Sequence, residues 1–125
     1  MCKVFYMTSY KDLIVWQKSF KLVKSVYNLT RKFPREERYG ITSQVCRAAI
    51  SIPSNIAEGY CRKHKQEYIQ FLRIAFSSGA ELETQLMLSK DLKFAPENEI
   101  DKVYNELTEV MKMLNKLISS LNPRP

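Results

Sequence analysis

Three groups of side chains in this sequence have types and spacings that could do chemistry. Gln44, Arg47, Ser51, Asn55 and Glu58 fall at helical spacing and so share one stripe of a helix. Arg47, Asn55 and Glu58 could form a catalytic polar cluster, with Glu81 and Glu83 as further acids. Cys2, Cys46, Cys61 and His64 supply four potential ligands for a tetrahedral metal ion. Lys11, Lys18, Lys21, Lys24, Arg31 and Lys32 form a run of cations suited to phosphate oxygens.

The first two groups have plainer readings. Acid–base work needs a nucleophile or a metal to act with, and the chain has a single His, no Glu-x-x-His pair and no Gly-rich phosphate loop. A solvated face usually carries Lys and Glu, whereas Gln, Arg, Ser and Asn suit a half-buried network between helices. The stripe is therefore read as structural. Arg47 is expected to pair with a carboxylate of the segment Glu81–Leu86, and Asn55 to bond to backbone near Pro53. The three Cys are odd in number and fit no Cys-x-x-Cys spacing, so packed free thiols are expected, with no disulfide framework, metal or cofactor.

Charge and length frame the third group. At 125 residues, 45% of them hydrophobic and only three of them Gly, the chain is one domain with one core. The net charge is +7. Residues 1–73 hold fourteen Lys or Arg against five Asp or Glu, while residues 74–125 hold six against eight. All of the positive excess lies in the first part, which suggests a polyanionic partner. No stretch approaches the roughly twenty apolar residues of a membrane span, and residues 1–6 lack a signal core. A cytoplasmic protein without a membrane partner is expected.

Helices must position these groups, because apolar residues recur at helical intervals and alternation is scarce. A first helix from about Ser9 to Phe33 is stopped by Pro34. It carries two apolar seams: Leu13, Trp16, Phe20, Val23 and Tyr27, then Val15, Leu22, Val26, Leu29 and Phe33. Two seams mean cover from two directions, as in the middle of a bundle or where a bundle meets another subunit, and self-assembly is expected because a four-helix monomer can cover only part of that surface. The remaining face bears the six cations with almost no acid beside it. A second helix follows, capped by Thr42 or Ser43, kinked at Pro53 and loosening at Gly59. The third, from His64 to about Leu92, packs through Tyr68, Phe71, Ala75, Leu82 and Leu86, and Gly79 within it implies close approach of a neighbour. The fourth has Pro96 in its first turn and a heptad row of Ile100, Val103, Leu107, Val110, Leu114, Leu117 and Leu121. The fold class is all-α, an up-down four-helix bundle.

Several segments carry a resemblance to a known family. L-I-V-W-Q-K-S at 13–19, F-P-R-E-E-R-Y-G-I-T-S-Q-V-C-R-A-A-I-S-I-P-S-N-I-A-E-G at 33–59, E-Y-I-Q-F-L-R-I-A at 67–75 and E-L-E-T-Q-L at 81–86 resemble the bundle proteins encoded in intervening sequences of bacterial 23S ribosomal RNA genes. More distantly the chain is similar to the accessory variability protein of diversity-generating retroelements. The resemblance implies a homopentameric, barrel-like ring with a basic surface, and for the retroelement relatives binding to nucleic acid and a reverse transcriptase. Cys46 stands where the family commonly has a second basic residue before Arg47, which removes one charge from that site, and Cys61 where it often has Gly.

The reading is a non-enzymatic, oligomeric bundle, a pentamer by resemblance, whose basic surface at Lys11, Lys18, Lys21, Lys24, Arg31 and Lys32 binds nucleic acid, RNA first. No base-reading motif and no unpaired aromatic at an obvious stacking position is apparent, so little sequence preference is expected. The alternative is an assembly or scaffold module whose basic face meets an acidic protein partner.

Overall fold

The computed structural model describes residues 9–122. Cys2 and the segment 1–6 lie outside that range. A 3-10 turn, Tyr10–Asp12, is capped by the Ser9 hydroxyl, which accepts the Lys11 N–H at 3.1 Å. Leu13 is extended, so α1 begins only at Ile14 and runs as Ile14–Thr30. Its end comes three residues before Phe33, because Pro34 has no N–H to bond the Thr30 carbonyl and disfavours helical geometry at Phe33. The last turn tightens, with the N–H of Lys32 and of Phe33 reaching back three residues at 3.0 Å. Phe33 is still buried.

Helix α2, Ile41–Arg62, starts after Gly40 without the side-chain cap expected from Thr42 or Ser43, and passes through Pro53 unbroken. It does not loosen at Gly59. That residue is buried, and a Cβ there would lie 2.6 Å from Phe71 Cβ, so the glycine marks a close approach of α2 to the next helix. Lys63, in left-handed geometry at φ 61°, ends α2. Helix α3, Lys65–Asp91, buries Ile69, Leu72, Ala75, Leu82 and Leu86. Gly79 is buried as well, and a Cβ added there would run into Met111 of the fourth helix. A Schellman arrangement closes α3. Phe94 N–H bonds to Ser89 O at 3.0 Å and Lys93 N–H to Lys90 O at 3.1 Å, with Lys93 left-handed at φ 60°.

Pro96 is the N-cap of α4, Glu97–Leu121, just outside the first turn. The buried row of α4 is Ile100, Val103, Leu107, Val110, Leu114 and Ile118, with Leu117 and Leu121 only half-buried. A straight helix drifts by about 20° per heptad, which brings Ile118 inward in place of the last two expected positions. Helices adjacent in the chain pack side by side, α2 on α3 most extensively, and α1 closes on α4. That is an up-down four-helix bundle around one core. No described helix is long and apolar enough to cross a membrane.

Candidate nucleic-acid interface

The second apolar seam of α1 lies in the core: Val15, Leu22, Val26, Leu29 and Phe33 are all buried. Burying that stripe turns the cations outward, and all six are exposed. The expectation that they have almost no acid beside them is corrected by α4. Lys18 Nζ lies 3.3 Å from Glu109, Lys32 Nζ lies 3.2 Å from Glu99, and between them Ser25 Oγ donates to Glu106 at 2.9 Å. Residues seven apart on α1 meet a matching row on α4, so the acidic second part of the chain answers part of the basic first part. Lys11, Lys21, Lys24 and Arg31 have no acidic partner among the described residues. Lys24 sits over the Phe20 ring, 5.4 Å from its centroid.

The first seam is only partly covered. Tyr10, Trp16 and Phe20 form an aromatic row, with centroids 5.3 Å and then 5.0 Å apart. Trp16, Phe20 and Val23 line a cleft of about 360 Å³ whose far wall is Ile50, Pro53 and Ala57 of α2. Phe20 is 48%, Tyr27 43% and Ile50 41% exposed. Tyr39, in the turn before α2, is 90% exposed. The expectation of no unpaired aromatic is thus corrected: spacing identifies which residues share a seam, but not how much of it the neighbouring helix covers.

The polar stripe of α2 divides. Asn55 Nδ2 donates to Ser51 O at 2.7 Å and to Ser51 Oγ at 2.9 Å, and Ser51 Oγ lies 2.8 Å from Ser78 Oγ across the α2–α3 contact. Asn55 therefore bonds to backbone two residues before Pro53. Arg47 does not join them. It is exposed and in no ion pair among the described residues, and the two expected carboxylates are engaged elsewhere. Glu83 faces α4, where the Tyr104 hydroxyl donates to it at 2.6 Å, a bond that holds the phenol pKa above its ordinary value. Glu81 accepts from Gln85 Nε2 at 3.4 Å. Gln44 is exposed, and Glu58 pairs with Arg62 at 3.1 Å one turn on. The structure thus brings Ser51, Asn55 and Ser78 together and leaves Gln44, Arg47, Glu58, Glu81 and Glu83 out of that cluster. Among the described residues no group of three His, Cys, Asp or Glu is placed to hold a metal ion, and Cys46 and Cys61 are free thiols.

The described chain is a small antiparallel helical bundle with a flank of cations only partly compensated by α4 and a partly open aromatic seam. Over residues 11–116 it matches the model of the 23S rRNA-intervening sequence protein, and it belongs to that family. A solved structure from Bacteroides thetaiotaomicron, described as a protein of unknown function from the S23 ribosomal protein family, is 25% identical to it. That match covers 84% of this chain and 98% of the other, with a TM-score of 0.78. No match is found among curated proteins.

Proposed function

We infer that the protein is a non-enzymatic, self-assembling bundle that holds nucleic acid, RNA in the first place, on the outward flank of α1 with little regard to base sequence. The observation that carries this reading is the division of the α1 cations. Two are spent on α4 acids, while Lys11, Lys21, Lys24 and Arg31 have no acidic partner among the described residues. Such charges release counterions when they meet phosphates, a term that ignores sequence. The half-open seam at Phe20, Tyr27 and Ile50 supports self-assembly, because an exposed apolar stripe beside a cleft is the kind of surface that protein–protein contacts use. Five subunits is the count that the family resemblance implies. A ring would repeat the cationic patch around its circumference and raise avidity by about 10²–10⁴.

The test is a salt titration of fluorescent RNA anisotropy on wild type and two charge-reversed variants. Lys21→Glu with Lys24→Glu should weaken binding and flatten the log–log salt slope, by about 0.7 for each single-strand phosphate that the variant no longer neutralises. Lys18→Glu, whose lysine is already occupied by Glu109, should do less. An assembled wild type that binds no RNA at about 50 mM salt would leave the acidic-protein scaffold as the better reading.

A further inference from the structure

The turn between α1 and α2 carries a side chain that neither the core nor the basic flank uses. Tyr39 is 90% exposed, and among the described residues its side chain has no hydrogen bond and no ring contact. The other described tyrosines differ: Tyr10, Tyr60, Tyr68 and Tyr104 are half-buried, and Tyr27 lies on the open seam. The turn that presents Tyr39 is well tied. Glu37 N–H donates to Pro34 O at 2.9 Å, Arg38 N–H to Arg35 O at 3.1 Å and Gly40 N–H to Glu37 O at 3.0 Å. Beneath it, buried Phe33 packs on Phe94 of the α3–α4 turn, with ring centroids 5.7 Å apart. The ring is therefore held out to solvent on a turn whose backbone is already ordered, so a ligand has only the side chain of Tyr39 left to immobilise.

Arg31, Arg35 and Arg38 are exposed on the same stretch, and none has an acidic partner among the described residues. A guanidinium forks onto phosphate oxygens and stacks on planar rings. Glu36 and Glu37 share the turn, with Glu37 Oε1 3.2 Å from where a Gly40 Cβ would stand. Those two carboxylates weaken the local positive field, so charge alone would hold a polyanion loosely here. A ligand with an aromatic face between two phosphates uses both kinds of group.

We propose that this turn is a stacking site for an unpaired base of single-stranded nucleic acid. The Tyr39 ring takes the face of the base, and Arg31, Arg35 and Arg38 take the flanking phosphates. The site rests on the nucleic-acid reading above and adds what the α1 flank lacks, a contact that depends on a base.

Two labelled probes test it: an oligouridylate of about twelve nucleotides, within the span one small domain covers, and an abasic ribose-phosphate strand of the same length. Tyr39→Ala should lower oligouridylate affinity by about five- to a hundredfold, the worth of one stacked base. It should leave abasic affinity and the salt slope as they are. Tyr39→Trp should restore binding, and Arg35→Gln with Arg38→Gln should weaken both probes and flatten the slope. An unchanged oligouridylate affinity in Tyr39→Ala, or an equal drop on both probes, overturns the site. So does a change in assembled mass by light scattering without a base-dependent drop, which would make Tyr39 a contact to another protein chain. A wild type that binds neither probe removes the whole nucleic-acid reading, whereas one that binds both and ignores Tyr39→Ala removes this site only.

Discussion

Tyr68 has its hydroxyl shut away from water with no hydrogen-bond partner among the described residues, while the Tyr60 ring meets its own edge-on at 5.8 Å. Burial first, and the neighbouring Tyr60 second, push its pKa up to about 12 from 10.0. The sign follows from proton binding. Between those two values the unfolded phenol gives up its proton and the folded one keeps it, so the folded state binds more protons. This contribution is whole below pH 10.0 and is lost as pH rises through about 12. Tyr68→Phe removes an unsatisfied hydroxyl and keeps the ring. It should raise stability at neutral pH by up to about 1 kcal/mol, and its stability should fall less steeply than wild type in strong alkali, read by urea melts across a pH series. A decrease of more than about 1 kcal/mol would mean that the hydroxyl has a partner in solution. The sequence placed Tyr68 on the packing side of its helix. It could not supply the missing partner, because spacing gives a direction and not the atom met at the end of it.

At the level of elements, the α2–α3 contact is where expectation and structure diverge most usefully. The Ser51–Asn55 part of the α2 stripe was legible from helical spacing, but not that Gln44 and Glu58 stand apart from it. The pairing of Arg47 was not, because Glu83 sits on the side of α3 that faces α4 and Tyr104 occupies it. Arg47→Ala should therefore shift the melting temperature little. Asn55→Ala should cost about 1–2 kcal/mol, as it strips two bonds from the serine cluster. Thermal melts of the two variants side by side decide the matter: an Arg47→Ala destabilisation of about 3 kcal/mol or more would reveal a paired guanidinium. The Gly79 expectation had a legible basis too, a missing side chain inside a helix. The identity of its neighbour, Met111, depends on how α3 and α4 are registered, which no single segment encodes.

Over the whole molecule, the bundle was readable because four amphipathic periods and their prolines each specify a local answer. The electrostatics were not. Lys32 and Glu99 are 67 residues apart, and Ser25 and Glu106 are 81 apart, so the neutralised edge of α1 exists only after the bundle closes. The same closure leaves the Phe20–Ile50 cleft on the surface, and assembly is argued at this scale. Phe20→Glu with Ile50→Glu should leave the helical circular dichroism intact and reduce the particle to a monomer by light scattering. Wild type that is already a monomer at micromolar concentration would sink the assembly reading, and an unchanged oligomer in the double variant would move the interface to another face.

The uneven packing between helices also sets an order of events in time. α2 and α3 share the largest interface and are joined by a two-residue connection, so their hairpin needs almost no loop closure. The α1–α4 edge closes the longest loop in the bundle, and the ion pairs along its rim are exposed, each worth at most about 1 kcal/mol. The hairpin should therefore carry the transition state, and the α1–α4 edge should form late and open first. In stopped-flow kinetics Ile56→Val should slow folding, whereas Val103→Ala should mainly quicken unfolding. Amide exchange should likewise be slowest at the centre of α2 and α3, where the chain commits to its shape before its first and last helices meet.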